Sequence, residues 1–314
     1  MLKTLETIAG GLASLVFVLI PASAGPQDTI GSSTQHSFLA TGGETYIVGE
    51  DGKVTWSYPA GTRDGCVLAD GNLLLALSKS EKLPGGGAIE VTREGKVVWQ
   101  YSGTQPEVNT VQAVGKGRYM LTEAGSRPRI IEVDTAGKIL LEVPIAAQTR
   151  DTHLQTRMTR KLPNGNYLVP QLLDKVVREY TSQGKIAWEA KTPEIPAESW
   201  PFTAIRLENG NTLVTCTHGE MVVEFDPKGR IAWQLANSDL PEPLLKDPCG
   251  AQRLPNGNTV ICAYGQSTAG AVKLLEVTAG KKLVWVWRDQ KKHGIHEVHV
   301  LSTNGQPLEG APMK

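Results

Sequence analysis

The chain carries 6 histidines, and three of them crowd into His293-Gly-Ile-His296-Glu-Val-His299. Imidazole titrates near neutrality, so such a run invites proton transfer or metal ligation. A three-residue spacing puts side chains on one face of a helix but on opposite faces of a strand. Glu297 to Leu301 reads as strand, and the usual zinc spacings are absent, so no metal site is predicted. Acid–base and hydrogen-bonding roles remain. Gly-x-Ser-x-Gly is missing, and the glycine run Leu83-Pro-Gly-Gly-Gly87 lacks the strand-loop-helix context of a phosphate cradle. That run reads as a flexible connector.

What positions these residues is a repeat. Leu68-Ala-Asp-Gly-Asn72, Leu162-Pro-Asn-Gly-Asn166, Leu207-Glu-Asn-Gly-Asn211 and Leu254-Pro-Asn-Gly-Asn258 are copies of one phrase, with weaker copies at Val114-Gly-Lys-Gly117 and Leu301-Ser-Thr-Asn-Gly305. Their glycines, at 71, 117, 165, 210, 257 and 305, are spaced by 46, 48, 45, 47 and 48 residues, a period that marks an array of supersecondary units. A second phrase alternates with the first: Asp51-Gly-Lys-Val-Thr-Trp56, Glu94-Gly-Lys-Val-Val-Trp99, Gln183-Gly-Lys-Ile-Ala-Trp188 and Lys228-Gly-Arg-Ile-Ala-Trp233. Ala136-Gly-Lys-Ile-Leu-Leu141 lacks the tryptophan, and Ala279-Gly-Lys-Lys-Leu-Val-Trp285 has one extra residue.

Asn-Gly and Asp-Gly between apolar runs signal hairpins, because glycine accepts the positive φ of a tight turn. A unit therefore reads as four short antiparallel strands, for instance Thr203 to Leu207, Thr212 to Thr217, Met221 to Phe225 and Arg230 to Leu235. The fold class is all-β, a six-bladed β-propeller of four-stranded blades. Five units are complete and the sixth is split: Thr45 to Val48 and Lys53 to Tyr58 lack an inner partner that His296 to Leu301 supplies, so pairing the N- and C-terminal strands closes the ring. Ser37 to Ala40 and Gln306 to Glu309 both remain candidates for the second strand of that blade.

With both phrases in view, the chain resembles the PQQ-like family of propeller repeats, and the Leu-Pro-Asn-Gly-Asn phrase is also similar to arylsulfotransferase-type propellers. The resemblance covers about residues 38 to 305 and implies that the phrase tryptophans lock neighbouring blades. Quinone enzymes of that family typically have eight blades, a calcium site and a disulfide between adjacent cysteines; no cofactor is predicted here. Cys66, Cys216, Cys249 and Cys262 form no CxxC pair and read as small core thiols.

In such a blade both glycine turns fall on one face of the disc, and connectors and inter-blade loops on the other. His153, His218, His293 and His296 belong to the connector face, with His299 on the innermost strand and His36 joining them if it begins the N-terminal strand. Aligning the inner strands on the apolar residue before each first turn places Arg63, Asn109, Arg157, Phe202, Cys249 and His296 at equivalent positions near the channel mouth, with His153, Asp64 and Glu297 close in sequence. Two readings follow. A binding or scaffold propeller would hold a small polar or anionic ligand, or another exported protein, through Arg63, Asn109, Arg157 and His299. An enzyme of arylsulfotransferase-like or lyase-like kind would use His296 and His153 as catalytic groups, with Arg157 and Arg63 as electrostatic partners.

Bulk properties narrow the partners. Lys and Arg number 32 against 32 Asp and Glu, so no concentrated positive field points to nucleic acid. Residues 1–24 have the parts of a secretory leader: Lys3, an apolar run from Ile8 to Ile20, and Ala22-Ser23-Ala24 before Gly25. The run is shorter than a spanning helix needs. The expectation is therefore a single propeller domain over residues 25–314, periplasmic or secreted, with no stable membrane anchor.

Overall fold

The computed structural model describes residues 27–28, 33–308 and 314; the expected leader lies outside them. It is a six-bladed β-propeller. Blade one comprises Thr62–Val67, Leu73–Leu77, Gly87–Val91 and Val97–Ser102, paired in that order from the axis outward. The inner strands of blades two to five are Glu107–Gly115, Arg160–Lys161, Trp200–Arg206 and Pro248–Arg253. Blade four runs Trp200–Arg206, Thr212–Thr217, Met221–Phe225 and Ile231–Ala236, with boundaries close to those read from the turns. Among the described residues no helix is long and apolar enough to cross a membrane.

The sixth blade joins the ends of the chain. Ile295–Thr303 is its inner strand, His36–Gly42 its second, Thr45–Val48 its third and Val54–Tyr58 its outermost. The choice left open by the sequence falls to the N-terminal segment, with Leu39 opposite His299 and Ala40 opposite Val298. Gln306–Pro307 adds two residues to the other edge of the inner strand, where Ser302 faces Pro307.

The repeated phrases acquire physical meaning here. Gly165 has φ 86°, and the turn is closed by the Leu162 N–H on the Asn166 carbonyl at 2.8 Å. The final asparagine of the phrase donates to a third-strand glutamate: Asn72 to Glu90 at 2.7 Å, Asn166 to Glu179 at 2.6 Å, Asn211 to Glu224 at 2.7 Å and Asn258 to Glu276 at 2.7 Å. The other oxygen of each glutamate holds the next blade, through Tyr119 at 2.7 Å, Arg206 at 2.9 Å, Arg253 at 3.0 Å and His36 at 2.9 Å. The tryptophans complete the lock. Indole N–H groups of Trp56, Trp188 and Trp233 donate to Arg93, Pro227 and Ala279 carbonyls in the following blade at 2.9, 3.1 and 2.9 Å, while Trp99 stacks on Tyr119 with ring centroids 3.8 Å apart. All four cysteines are free, and Cys216, Cys249 and Cys262 are buried.

Candidate functional site

Each inner strand starts on the connector face and ends on the turn face, so position along it decides which mouth a side chain serves. Near the connector end the structure gathers Arg63, Asn109, Arg157, Phe202 and His296. His296 Nδ1 donates to the Arg63 carbonyl at 2.7 Å. The Phe202 ring lies edge-on to His296 at 4.8 Å, Tyr264 does the same at 5.4 Å, and the Arg157 guanidinium carbon stands 5.8 Å from the Phe202 centroid. Asn109 Nδ2 and Arg157 Nη1 both donate to the Thr156 carbonyl, at 3.0 and 2.8 Å. Cys249 packs with Met158, Leu172 and Phe202 beside them and serves as apolar filling.

Because a carbonyl only accepts, His296 carries its proton on Nδ1 and presents a bare Nε2. Burial, reinforced by the charges of Arg157 and Arg63, pulls its pKa down to about 3, so the ring is neutral near pH 7. Arg157 is 2% exposed, and burial together with Arg63 lowers its pKa to about 10, leaving it charged.

Glu107, which the sequence reading passed over, is the acid of this mouth. Its Oε1 receives Arg63 at 3.4 Å, Lys79 at 3.0 Å and His153 at 3.2 Å. Burial opposes ionisation, yet the hydrogen bond from His153 and the charge of Arg63 outweigh it and hold the carboxyl at about 2. It lies two residues before Asn109 on the same strand, so the period of two puts both on one side; that spacing was the available signal. Three buried polar atoms are left without a protein partner here: Glu107 Oε2, Asn109 Oδ1 and Arg157 Nε.

Other candidates sit elsewhere. His299 belongs to the turn-face mouth, since three residues of strand span about 10 Å. There its Nδ1 accepts the Val67 N–H at 3.0 Å and burial lowers its pKa to about 3. His36 does begin its strand, but at the turn-face end, between Thr303 and Glu276 at 2.9 Å each and edge-on to Trp285. It acts in blade closure. His218 packs against Trp200 with ring centroids 4.4 Å apart and planes tilted by 30°, and His293 stands 3.0 Å from Glu44. Asp64 lies below the mouth in a two-pronged pair with Arg160 at 2.9 and 3.0 Å, also receiving the Thr110 hydroxyl. Burial opposes its charge, but Arg160 and Lys314 hold its pKa at about 2.

A family model described as Mal s 1 allergenic protein-like matches residues 47–238, more than half of the chain. No curated protein matches. Among solved structures, a protein of unknown function from Bacteroides caccae aligns at 24% identity with TM-score 0.72, covering 84% of this chain and 98% of the other. A streptogramin B lyase aligns at 12% identity with TM-score 0.59, over 87% and 89% of the two chains. The periplasmic gluconolactonase PpgL of Pseudomonas aeruginosa aligns at 14% identity with TM-score 0.54, over 90% and 99%. These likenesses establish the propeller fold.

Proposed function

The chain belongs to the Mal s 1 allergenic protein-like family, and from that premise we propose that it is a binding propeller holding a small anionic or polar ligand at its connector-face mouth. Arg157 carries the proposal. Its guanidinium is buried, no carboxylate lies within ion-pair distance of it among the described residues, and its Nε is unpartnered. Glu107 and Asp151 act on it only from beyond ion-pair distance; a buried charge with no direct ion pair is costly, and an anion entering the mouth would relieve that cost. Arg63 adds a second positive charge, while Glu107 is already shared with Arg63, Lys79 and His153. Arginine favours planar carboxylate, sulfate or phosphate oxygens, and Asn109 Oδ1 and Glu107 Oε2 add acceptors for ligand hydroxyl groups.

A thermal-shift screen of the mature protein tests this. Acidic sugars and sulfated phenols should raise the melting temperature, and glucose and unsulfated phenol should not, because a ligand selective for the folded form at a hundred times its Kd contributes about 2.7 kcal/mol. Equal response to neutral and anionic compounds would sink the anion reading.

One observation favours a catalytic version of the same site. The fixed Nδ1–H tautomer leaves His296 Nε2 as a proton acceptor beside two arginines that would neutralise charge developing on a substrate. His153, hydrogen-bonded to Glu107, is the second titratable group. A substrate anion on Arg63 and Arg157 would raise the His296 pKa toward the useful range. The lyase and lactonase neighbours indicate elimination and lactone hydrolysis as the first assays. The proposed place of action is outside the cytoplasm, following the leader-like residues 1–24.

A further inference from the structure

The opposite mouth is a cavity of about 1390 Å³, walled by side chains such as Val67, Leu162, Ile205 and Leu301 and floored by Asp64, Arg160 and His299. Into this floor reaches Lys314, only 6% exposed. Its Nζ donates to the Gly65 carbonyl at 2.6 Å and stands 3.7 Å from Asp64 Oδ1. The Lys314 backbone oxygen accepts Arg160 Nε at 2.8 Å. Beneath lies Glu297, 0% exposed, whose Oε2 is 3.8 Å from Arg160 Nη2. Asp64, held ionised by Arg160 and Lys314, thus meets two cations, one of which arrives on a side chain from outside the blades, while burial pushes the Glu297 carboxyl up.

We propose that the floor of this cavity is a receptor site for a primary alkylammonium group, filled in cis by Lys314 and open to another alkylamine when Lys314 is withdrawn. The chemistry selects that group. A compact ammonium has N–H donors for the Gly65 carbonyl and the charge for Asp64, and its slender apolar stem can lie along the aliphatic part of a lining that also carries Arg93, Lys161 and Arg206. A quaternary ammonium has no proton to donate. The site is separate from the connector-face mouth and stands or falls without it. The amine would come from a small diamine or from a lysine side chain of another polypeptide.

The test is chemical rescue of Lys314→Ala in the full chain. The variant should melt several degrees below the parent, and n-butylamine should restore the loss saturably, whereas tetramethylammonium and n-butanol should not. Cadaverine and an end-capped lysine tripeptide, run in parallel, separate the two sources: rescue by cadaverine alone indicates a small amine, and rescue by both admits a polypeptide. No rescue by any amine, or equal rescue by tetramethylammonium, overturns the proposal. If Lys314→Ala does not fold, reductive methylation of the unaltered protein decides: Lys314 should react about ten-fold or more slowly than Lys53, whose side chain is 77% exposed, and equal rates overturn it.

Discussion

His296 and His299, three residues apart on one inner strand, are locked in opposite tautomers by a carbonyl acceptor and an amide donor. Both are held neutral, with pKa values of about 3, by burial. The unfolded chain protonates them near pH 6.5. A depressed folded pKa contributes stability above the unfolded value and loses it as pH falls, so stability should decline from about pH 6.5 downward, with a slope of up to about 1.4 kcal/mol per pH unit for each ring. Urea unfolding of the parent and of His299→Gln between pH 7 and pH 4.5 should show a shallower dependence in the variant; identical slopes would refute its neutral burial. Aligning the inner strands by sequence was enough to place Arg63, Asn109, Arg157 and His296 at one level, because the glycine turns set their register. Glu107 escaped it because the alignment takes one position per strand, and Glu107 lies two residues before that position, on the same side. His36 was assigned to the wrong mouth because a residue's level depends on strand direction, which reverses between inner and second strands; His299 does lie on the innermost strand, three residues nearer the turn face than His296.

At the scale of the element, the turn phrases are joints as well as turns. Asn211 links its turn to Glu224, and Glu224 holds Arg253 of the next blade. Replacing Asn211 with Ala removes one hydrogen bond and should cost about 1 kcal/mol. Replacing Glu224 with Ala strips partners from both Asn211 and Arg253 and should cost about 2 to 3 kcal/mol. Denaturant midpoints order the two, and a smaller loss for Glu224→Ala would show that the latch is not shared. The phrase was legible as a hairpin signal because glycine conformation is local. The glutamate latch was not, since it joins residues from 13 to 29 positions apart.

At the scale of the whole molecule, the ring is closed by hydrogen bonding between Ile295–Thr303 and His36–Gly42. Ala40 sits inside this seam, opposite Val298 on one side and Tyr46 on the other. Ala40→Pro removes a ladder donor in a central strand and leaves a buried acceptor unpaired, which should cost about 1 to 3 kcal/mol, loosening the blade-six seam, whose two strands come from opposite ends of the chain. A variant as stable as the parent would show that closure lies elsewhere. A closed, rigid disc is also what keeps a buried arginine fixed beside a neutral histidine at the mouth. The most direct measurement is calorimetric titration of the parent and of Arg157→Met with the acidic sugar or sulfated phenol giving the largest thermal shift. The account predicts binding by the parent, and at least a ten-fold loss in the variant with its melting temperature preserved. Equal affinity in the two proteins would contradict it.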